Sequence, residues 1–307
     1  MERICTIFDC DPGVDDAFAI VYLKNSEKFD VKLLASVAGN VNLEYTTRNL
    51  RGLVKALDWN VEVCEGASMP IMGRQVLAGE IHGKTGLGGY EFKENELAKL
   101  SDRNAFDAMV DILENNDKTL IIAVGPLTNI ALLLLGRPDL KEKISEITIM
   151  GGGLEKGNIT PAAEFNIFAD PEAAEIVFNS GVKINMAGLD VTEKGNYNWD
   201  IQNILKESGL KITDLLTEIM LTSFKRIEEK RGSKISLHDV VAVMYHTNPE
   251  LFTGEDYHVV VEIEGVYTRG QTLADKRSFS TTEKNAHVLL DLDVEKFHER
   301  LIEVLTK

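Results

Sequence analysis

The feature that most constrains this chain is a short apolar run closed by acids. Ile4 to Phe8, with Thr6 its one polar residue, leads directly into Asp9-Cys10-Asp11-Pro12-Gly13-Val14-Asp15-Asp16. The run reads as a buried strand, Pro12-Gly13 as a turn, and Asp15-Asp16 as the acidic first turn of a helix continuing through Ala17 to Leu23. A strand, a tight turn and a helix in that order belong in an open α/β sheet, whose ligands sit at the carboxyl ends of the strands. Helix capping accounts for Asp15 or Asp16, but not for Asp9 and Asp11 immediately after an apolar strand. Four packed carboxylates repel one another and lose hydration when enclosed. A bound cation relieves both costs, and oxygen-only ligands favour a hard ion, Ca²⁺ or Mg²⁺.

The same alternation runs on. Strands are expected at Lys32–Ala38, Val61–Cys64, Thr119–Val124, Glu146–Met150 and Val182–Ala187. Helices are expected at Tyr45–Leu57, Ala105–Asn115, Asn129–Leu135 and Pro171–Asn179, the last ended by Gly181. This pattern predicts a mostly parallel, doubly wound (Rossmann-like) sheet with helices on both faces. No repeat or linker divides residues 1–307, so a single domain is expected. The chain's end reads as strand, turn, strand, then a helix over Val294–Leu305. Residues 74–92 hold five glycines and little periodicity, as a mobile lid would. Phe224–Leu237 is dense in charge, and the helix before it is expected to end near Gly232.

Charge narrows the partners. Lys plus Arg is 33 and Asp plus Glu is 49, a formal charge of −16. That argues against a nucleic-acid partner, which needs a basic face, and disfavours an anionic membrane surface. The three cysteines, Cys5, Cys10 and Cys64, form no CxxC pair, as expected in a reducing, cytoplasmic setting. No apolar stretch approaches membrane-spanning length, and Asp9 comes too early for a signal-peptide core.

Further polar groups follow other strands. Asn40 sits in Ala38-Gly39-Asn40. Val124-Gly125-Pro126 offers a carbonyl that can ligate a cation. Met150-Gly151-Gly152-Gly153 closes a third run. Asn158, Glu164 and Asn166 present donors and acceptors among apolar neighbours, with no Lys or Arg from Gly157 to Ser180. Such a set suits a neutral polyhydroxylated ligand better than a phosphate. His238-Asp239 opens the apolar segment Val240–Tyr245, where Asp239 reads either as a helix cap or as a late carboxylate completing a metal shell. An EF-hand loop counted from Asp9 fails at its fifth and sixth positions, Gly13 and Val14. GxxxxGK[ST] and GxGxxG at the first helix are both missing. A haloacid-dehalogenase-type phosphatase also begins with a strand and Asp-x-Asp, but wants Thr or Val where this chain has Gly13.

Taken together, these segments resemble the nucleoside hydrolases, the inosine–uridine preferring nucleoside N-ribohydrolases. The resemblance is carried by Asp9 to Ala17, Ala38-Gly39-Asn40, Ile81-His82-Gly83, Val124 to Ala131, Met150-Gly151-Gly152, Glu164 to Ala174 and His238-Asp239, in family order over most of the chain. It implies calcium-dependent hydrolysis of a ribonucleoside to ribose and base, by a homodimer or homotetramer. Asp11, Asp16, the Val124 carbonyl and Asp239 would be the calcium ligands, and Asp11 also the general base that activates water at the cation. Asp15 and Asn40 would hold the ribose 2′- and 3′-hydroxyls. Asn158, Glu164 and Asn166 would hold the sugar near its 5′ end, with Met150 lining the pocket. His238, or else His82, would meet the leaving base. Family members often place a tyrosine over the nucleobase in the segment before His-Asp, and Phe224–Leu237 has none. A calcium-dependent sugar-binding protein without turnover is the non-enzymatic alternative.

Overall fold

The computed structural model describes residues 3–231 and 235–307, with side chains omitted for Glu80 and residues 223–231. Gly232, the expected end of the long helix Lys211–Arg231, lies outside the described residues.

Six parallel strands, β1 (Ile4–Cys10), β2 (Phe29–Ser36), β3 (Glu62–Glu65), β4 (Thr119–Ala123), β5 (Ile144–Met150) and β6 (Ile184–Ala187), form most of the sheet. Their order is β3-β2-β1-β4-β5-β6, extended by Ala286–Leu292, which is parallel to β6, and then by Phe252–Tyr257, which is antiparallel to it. The acids therefore stand at the middle of the sheet, where the order turns back from β2 to β4. This is the switch point at which an open sheet leaves a crevice.

Alternate strand residues feed two cores. Phe8, Leu34 and Ile122 pack with helices α1 (Val14–Asn25) and α2 (Leu43–Ala56) and with His238–Thr247 and Val294–Leu305. Their neighbours Ile7, Leu33 and Ile121 pack on the other face against Ala105–Asn115, Thr128–Gly136 and Pro171–Phe178. Strands buried on both faces need apolar residues at every position, which is why they read as continuous apolar runs.

Several boundaries differ from expectation. β1 extends two residues beyond Phe8, so Asp9 lies inside the strand and Asp11 is the first acid beyond it. β2 covers Phe29–Ser36 rather than Lys32–Ala38, because Ser36 is the last residue to pair with Cys10 and Glu65. The 74–92 segment contains one helical turn, Gly79–His82. The small hairpin Val259–Val261 with Thr272–Ala274 was not expected, since strands of three residues carry too little pattern. The terminal helix spans Val294–Leu305 as expected. Among the described residues no helix is long and apolar enough to cross a membrane.

Candidate active site

Pro12-Gly13 turns the chain from β1 into α1 and sets Asp11 on one side of the turn and Asp15 and Asp16 on the other. The Gly13 N–H donates to Asp16 Oδ2 at 2.8 Å, so the helix N-terminus and a first-turn acid satisfy each other. Asn40, from the loop after β2, joins the cluster. Its main-chain N–H donates to Asp11 Oδ2 at 2.6 Å, and its Nδ2 donates to the Asp11 carbonyl at 3.1 Å and to Asp16 Oδ2 at 3.2 Å. The Asp11 carboxylate is held tightly between loops. A Cβ on Gly39 would fall 2.2 Å from its Oδ2, and one on Gly125, beside Val124, 2.8 Å from its Oδ1.

Asp239 arrives on the helix His238–Thr247, which packs along α1. It is the second residue of that helix, and the cap position belongs to Leu237, so the reading of Asp239 as a cap does not hold. Carboxylate oxygens of Asp15, Asp16 and Asp239 lie within 4.8 Å of one another. The expected ligand set named Asp11 rather than Asp15 beside Asp16 and Asp239, so the tightest trio differs from it by one residue. Asp11 borders this trio through Asn40, which bonds both it and Asp16.

The electrostatics are those of a site built for a cation. Asp11 Oδ1 and Asp16 Oδ1 are buried with no hydrogen-bond partner, a costly condition for anionic oxygens. Burial pushes the Asp16 carboxyl up to about 6. Burial, then the neighbouring Asp16 charge, pushes Asp15 up to about 6 and Asp11 well above the usual range. Burial and the Asp15, Asp16 and Asp11 charges raise Asp239 in the same way. A hard divalent ion fits this all-oxygen set. The Val124 carbonyl accepts from Asn166 Nδ2 at 2.8 Å, which leaves it one lone pair for such an ion.

Beyond Val124 the neighbouring segment is tied down by hydrogen bonds. Asn166 Nδ2 also donates to the Met150 carbonyl at 3.0 Å. Glu164 caps the turn Phe165–Ala169 by accepting from Asn166 and Ile167 N–H, and it accepts Gly152 N–H at 2.9 Å. Burial raises its carboxyl to about 7 against the pull of those N–H groups. Asn158 Oδ1 accepts Phe165 N–H at 2.8 Å. The loop-to-helix segment is thus pinned from within, and Asn158 and Glu164 act first on the backbone.

Both histidines border the acids. Val14 N–H donates to His82 Nδ1 at 3.2 Å, and Asp15 Oδ1 stands 3.9 Å from the same nitrogen. The ring lies over Gly13, where a Cβ would come within 2.4 Å of Nδ1. His238 Nδ1 meets Thr192 Oγ1 at 2.8 Å, and burial lowers its basicity. Sequence reasoning missed Thr192 and the Asn129 carboxamide, whose Nδ2 donates to Asp9 Oδ2 at 2.7 Å and whose Oδ1 accepts Ala67 N–H at 2.8 Å. Neither carries a local signal, because each acts through a partner distant in sequence.

Comparison with known proteins identifies the family. A family model described as "Inosine-uridine preferring nucleoside hydrolase" matches residues 6–299. The chain is 40% identical over 303 residues, 97% of each sequence, to the "Pyrimidine-specific ribonucleoside hydrolase RihA" of Salmonella newport (strain SL254). It is 39% identical over 306 residues, 99% of this chain and 98% of the other, to the "Non-specific ribonucleoside hydrolase RihC" of Escherichia coli (strain SMS-3-5 / SECEC). Among solved structures it is similar to the "Plant nucleoside hydrolase - PpNRh1 enzyme", with a TM-score of 0.92 at 30% identity over 99% of both chains. It is also similar to the "Purine-Preferring Ribonucleoside Hydrolase from Gardnerella vaginalis", with a TM-score of 0.91 at 30% identity over 98% of both.

Proposed function

This chain belongs to the inosine-uridine preferring nucleoside hydrolase family, and on that premise we propose that it hydrolyses ribonucleosides to ribose and free base with calcium seated among its buried carboxylates. The observation that carries the calcium reading is the bare, buried Oδ1 of both Asp11 and Asp16 beside the Asp15, Asp16 and Asp239 cluster. Asp11, Asp16, the Val124 carbonyl and Asp239 are the proposed ligands, with Asp15 close enough to share. When bound, the ion supplies Lewis-acid charge that anchors diol oxygens and acidifies water.

The chain's own residues do the rest. Asp11, fixed by the Asn40 N–H through Oδ2, keeps Oδ1 free to take a proton from the attacking water. Asp15 and Asn40 hold the ribose 2′- and 3′-hydroxyls. Asn158, Glu164 and Asn166 position the 5′ side, and Met150 lines it. Cleavage of the N-glycosidic bond builds positive charge on the ribose ring, and preorganised carboxylates stabilise that charge as it forms. His238 donates a proton to the departing base, with His82 contacting it from the lid side. This reading also carries a cytoplasmic homodimer or homotetramer, checked by sedimentation.

The test is ribose release from uridine, cytidine, inosine and adenosine, without phosphate and with or without a strong calcium chelator. Release that needs no phosphate, and that chelation removes, supports the proposal. Binding of nucleosides without any ribose release would instead mark a binding protein, and phosphate release from phosphate esters a phosphatase.

A further inference from the structure

We propose that Asn49 is a positioning residue for the calcium shell, holding the Pro12-Gly13 turn and the 74–92 segment on one side chain; this rests on the reading of Asp16 as a calcium ligand. Asn49 is buried on α2, the helix that starts just after Asn40 with Asn42 as its cap. Its Nδ2 donates to the Pro12 carbonyl at 2.9 Å and to the Thr85 carbonyl at 2.8 Å. Both partners are oxygens that only accept, so the amide nitrogen must face them, with one proton for each. The Pro12 bond reaches Asp16 through a rigid unit. A trans peptide is planar, and its C=O and N–H point in opposite directions. The Pro12–Gly13 peptide is held at its carbonyl by Asn49 and at its N–H by Asp16 Oδ2, 2.8 Å away. Tilting that plane moves the Asp16 carboxylate, whose other oxygen is the bare one.

The Thr85 bond ties the same unit to the loop above it. Thr85 and Leu87 are buried, and the N–H groups of Gly86 and Gly88 close back on the Gly83 and His82 carbonyls at 3.3 and 2.8 Å. His82 in turn accepts Val14 N–H, so the loop grips the acid turn on both sides of Gly13. Arg48, one residue before Asn49, adds bonds of 3.2 and 2.7 Å to the Phe92 carbonyl. The crossing leaves no room for a side chain. Gly86 has φ +95°, and a Cβ on it would lie 2.7 Å from Asn49 Nδ2 and 3.1 Å from the Pro12 carbonyl. One buried amide thus fixes the acid turn and the 82–88 loop in a common frame, and a push on either is passed to Asp16. Hydrogen bonds of this kind, one step behind a metal ligand, set its aim, and their loss costs 10–100-fold in metal affinity or activity.

The test is calorimetric titration of the chelator-stripped full chain with calcium, for wild type, Asn49→Ala, Gly86→Ala and Gly181→Ala. Asn49→Ala is expected to raise the calcium Kd by about 10-fold or more, and saturating calcium should then recover most of its kcat on a nucleoside. Gly86→Ala keeps the amide but presses on it from the loop side, and should raise the Kd in the same direction although residue 86 is remote from every proposed ligand in sequence. Gly181→Ala is the control for general destabilisation. Its φ of +80° strains an alanine, but open space surrounds it, so its calcium Kd should match wild type. If Asn49→Ala does not fold, Gly86→Ala decides. Variants at Asn49 and Gly86 that melt earlier yet bind calcium as wild type does overturn the proposal, as does an equal rise in Kd for Gly181→Ala. If the wild-type protein itself binds no calcium, the reading of the acids as a calcium site fails first. If it binds calcium and the Asn49 and Gly86 variants bind it equally well, only the role of Asn49 falls.

Discussion

The main-chain N–H of Asn40 meets Asp11 Oδ2 at 2.6 Å, while the other oxygen of the same carboxylate is buried and bare. One oxygen is spent on fixing the group, and the other is available for chemistry. Asp11→Asn keeps the shape but removes the charge and the basicity. We expect kcat to fall by about 10²–10⁴, the range for loss of a general base, and calcium affinity to weaken. Wild-type turnover in this variant would sink the assignment of Asp11.

Gly13 tests the seating of His82. Its φ is −105°, so an alanine is not strained by the backbone. The cost comes from its Cβ, which would sit 2.4 Å from His82 Nδ1 and 2.7 Å from Asn40 Nδ2. Gly13→Ala should displace both side chains, raise KM, and destabilise by ~1–3 kcal/mol as overpacking does. An unchanged KM would show that neither side chain touches substrate.

Calcium removal should make stability depend on pH in an unusual direction. Burial raises Asp15 and Asp16 to about 6 in the metal-free fold, against 3.8 as the ordinary value. A carboxyl with a raised folded pKa favours the fold below its unfolded value, and that stability drains away as pH rises through the folded one. The chelated protein should therefore lose stability from about pH 4 to above pH 6. Calcium at 100 times its Kd should return ~2.7 kcal/mol near pH 8. Melting curves with chelator and with calcium that coincide at pH 8 would count against the metal site.

His246, near the other end of the helix that carries Asp239, gives an independent acid response. Its Nε2 meets Thr148 Oγ1 at 2.7 Å, and its Nδ1 lies 3.8 Å from Glu146 Oε1. Burial is the largest influence and lowers its pKa to about 4 from 6.5. The unfolded chain takes up this proton before the folded one, so the contribution is intact above pH 6.5 and is lost as pH falls through 4. At most ~3 kcal/mol is at stake, since one pKa unit is worth 1.36 kcal/mol. His246→Gln should flatten the Tm profile between those limits, and an unaltered profile would rule this contribution out.

The acids, the strand before them and the switch-point site were legible because they are local. An apolar run, a Pro-Gly turn and an acidic first turn occupy only residues 4–16. Asn166 was legible as a polar residue among apolar ones, but not as the side chain that bonds both Val124 and Met150 carbonyls. Thr192 was invisible, because its partner is His238, on a helix reached only after the long Lys211–Arg231 segment. Asp9 reads as a strand terminator, so the sequence alone ends β1 at Phe8. The strand in fact absorbs it, with the Asn129 amide supplying the hydrogen bond that water would otherwise give.

β1 lies between β2 and β4, with Thr6 paired to Leu120 across the middle of the sheet. During synthesis the first strand can dock on β2 early, yet its second edge stays open until residues near 120 have been made. Asp239 joins its acidic partners later still. Closing such long chain loops slows folding, so the nascent protein spends an interval with an unpaired central strand. A cation that gathers the last carboxylate would then act on the order of assembly as well as on the finished enzyme.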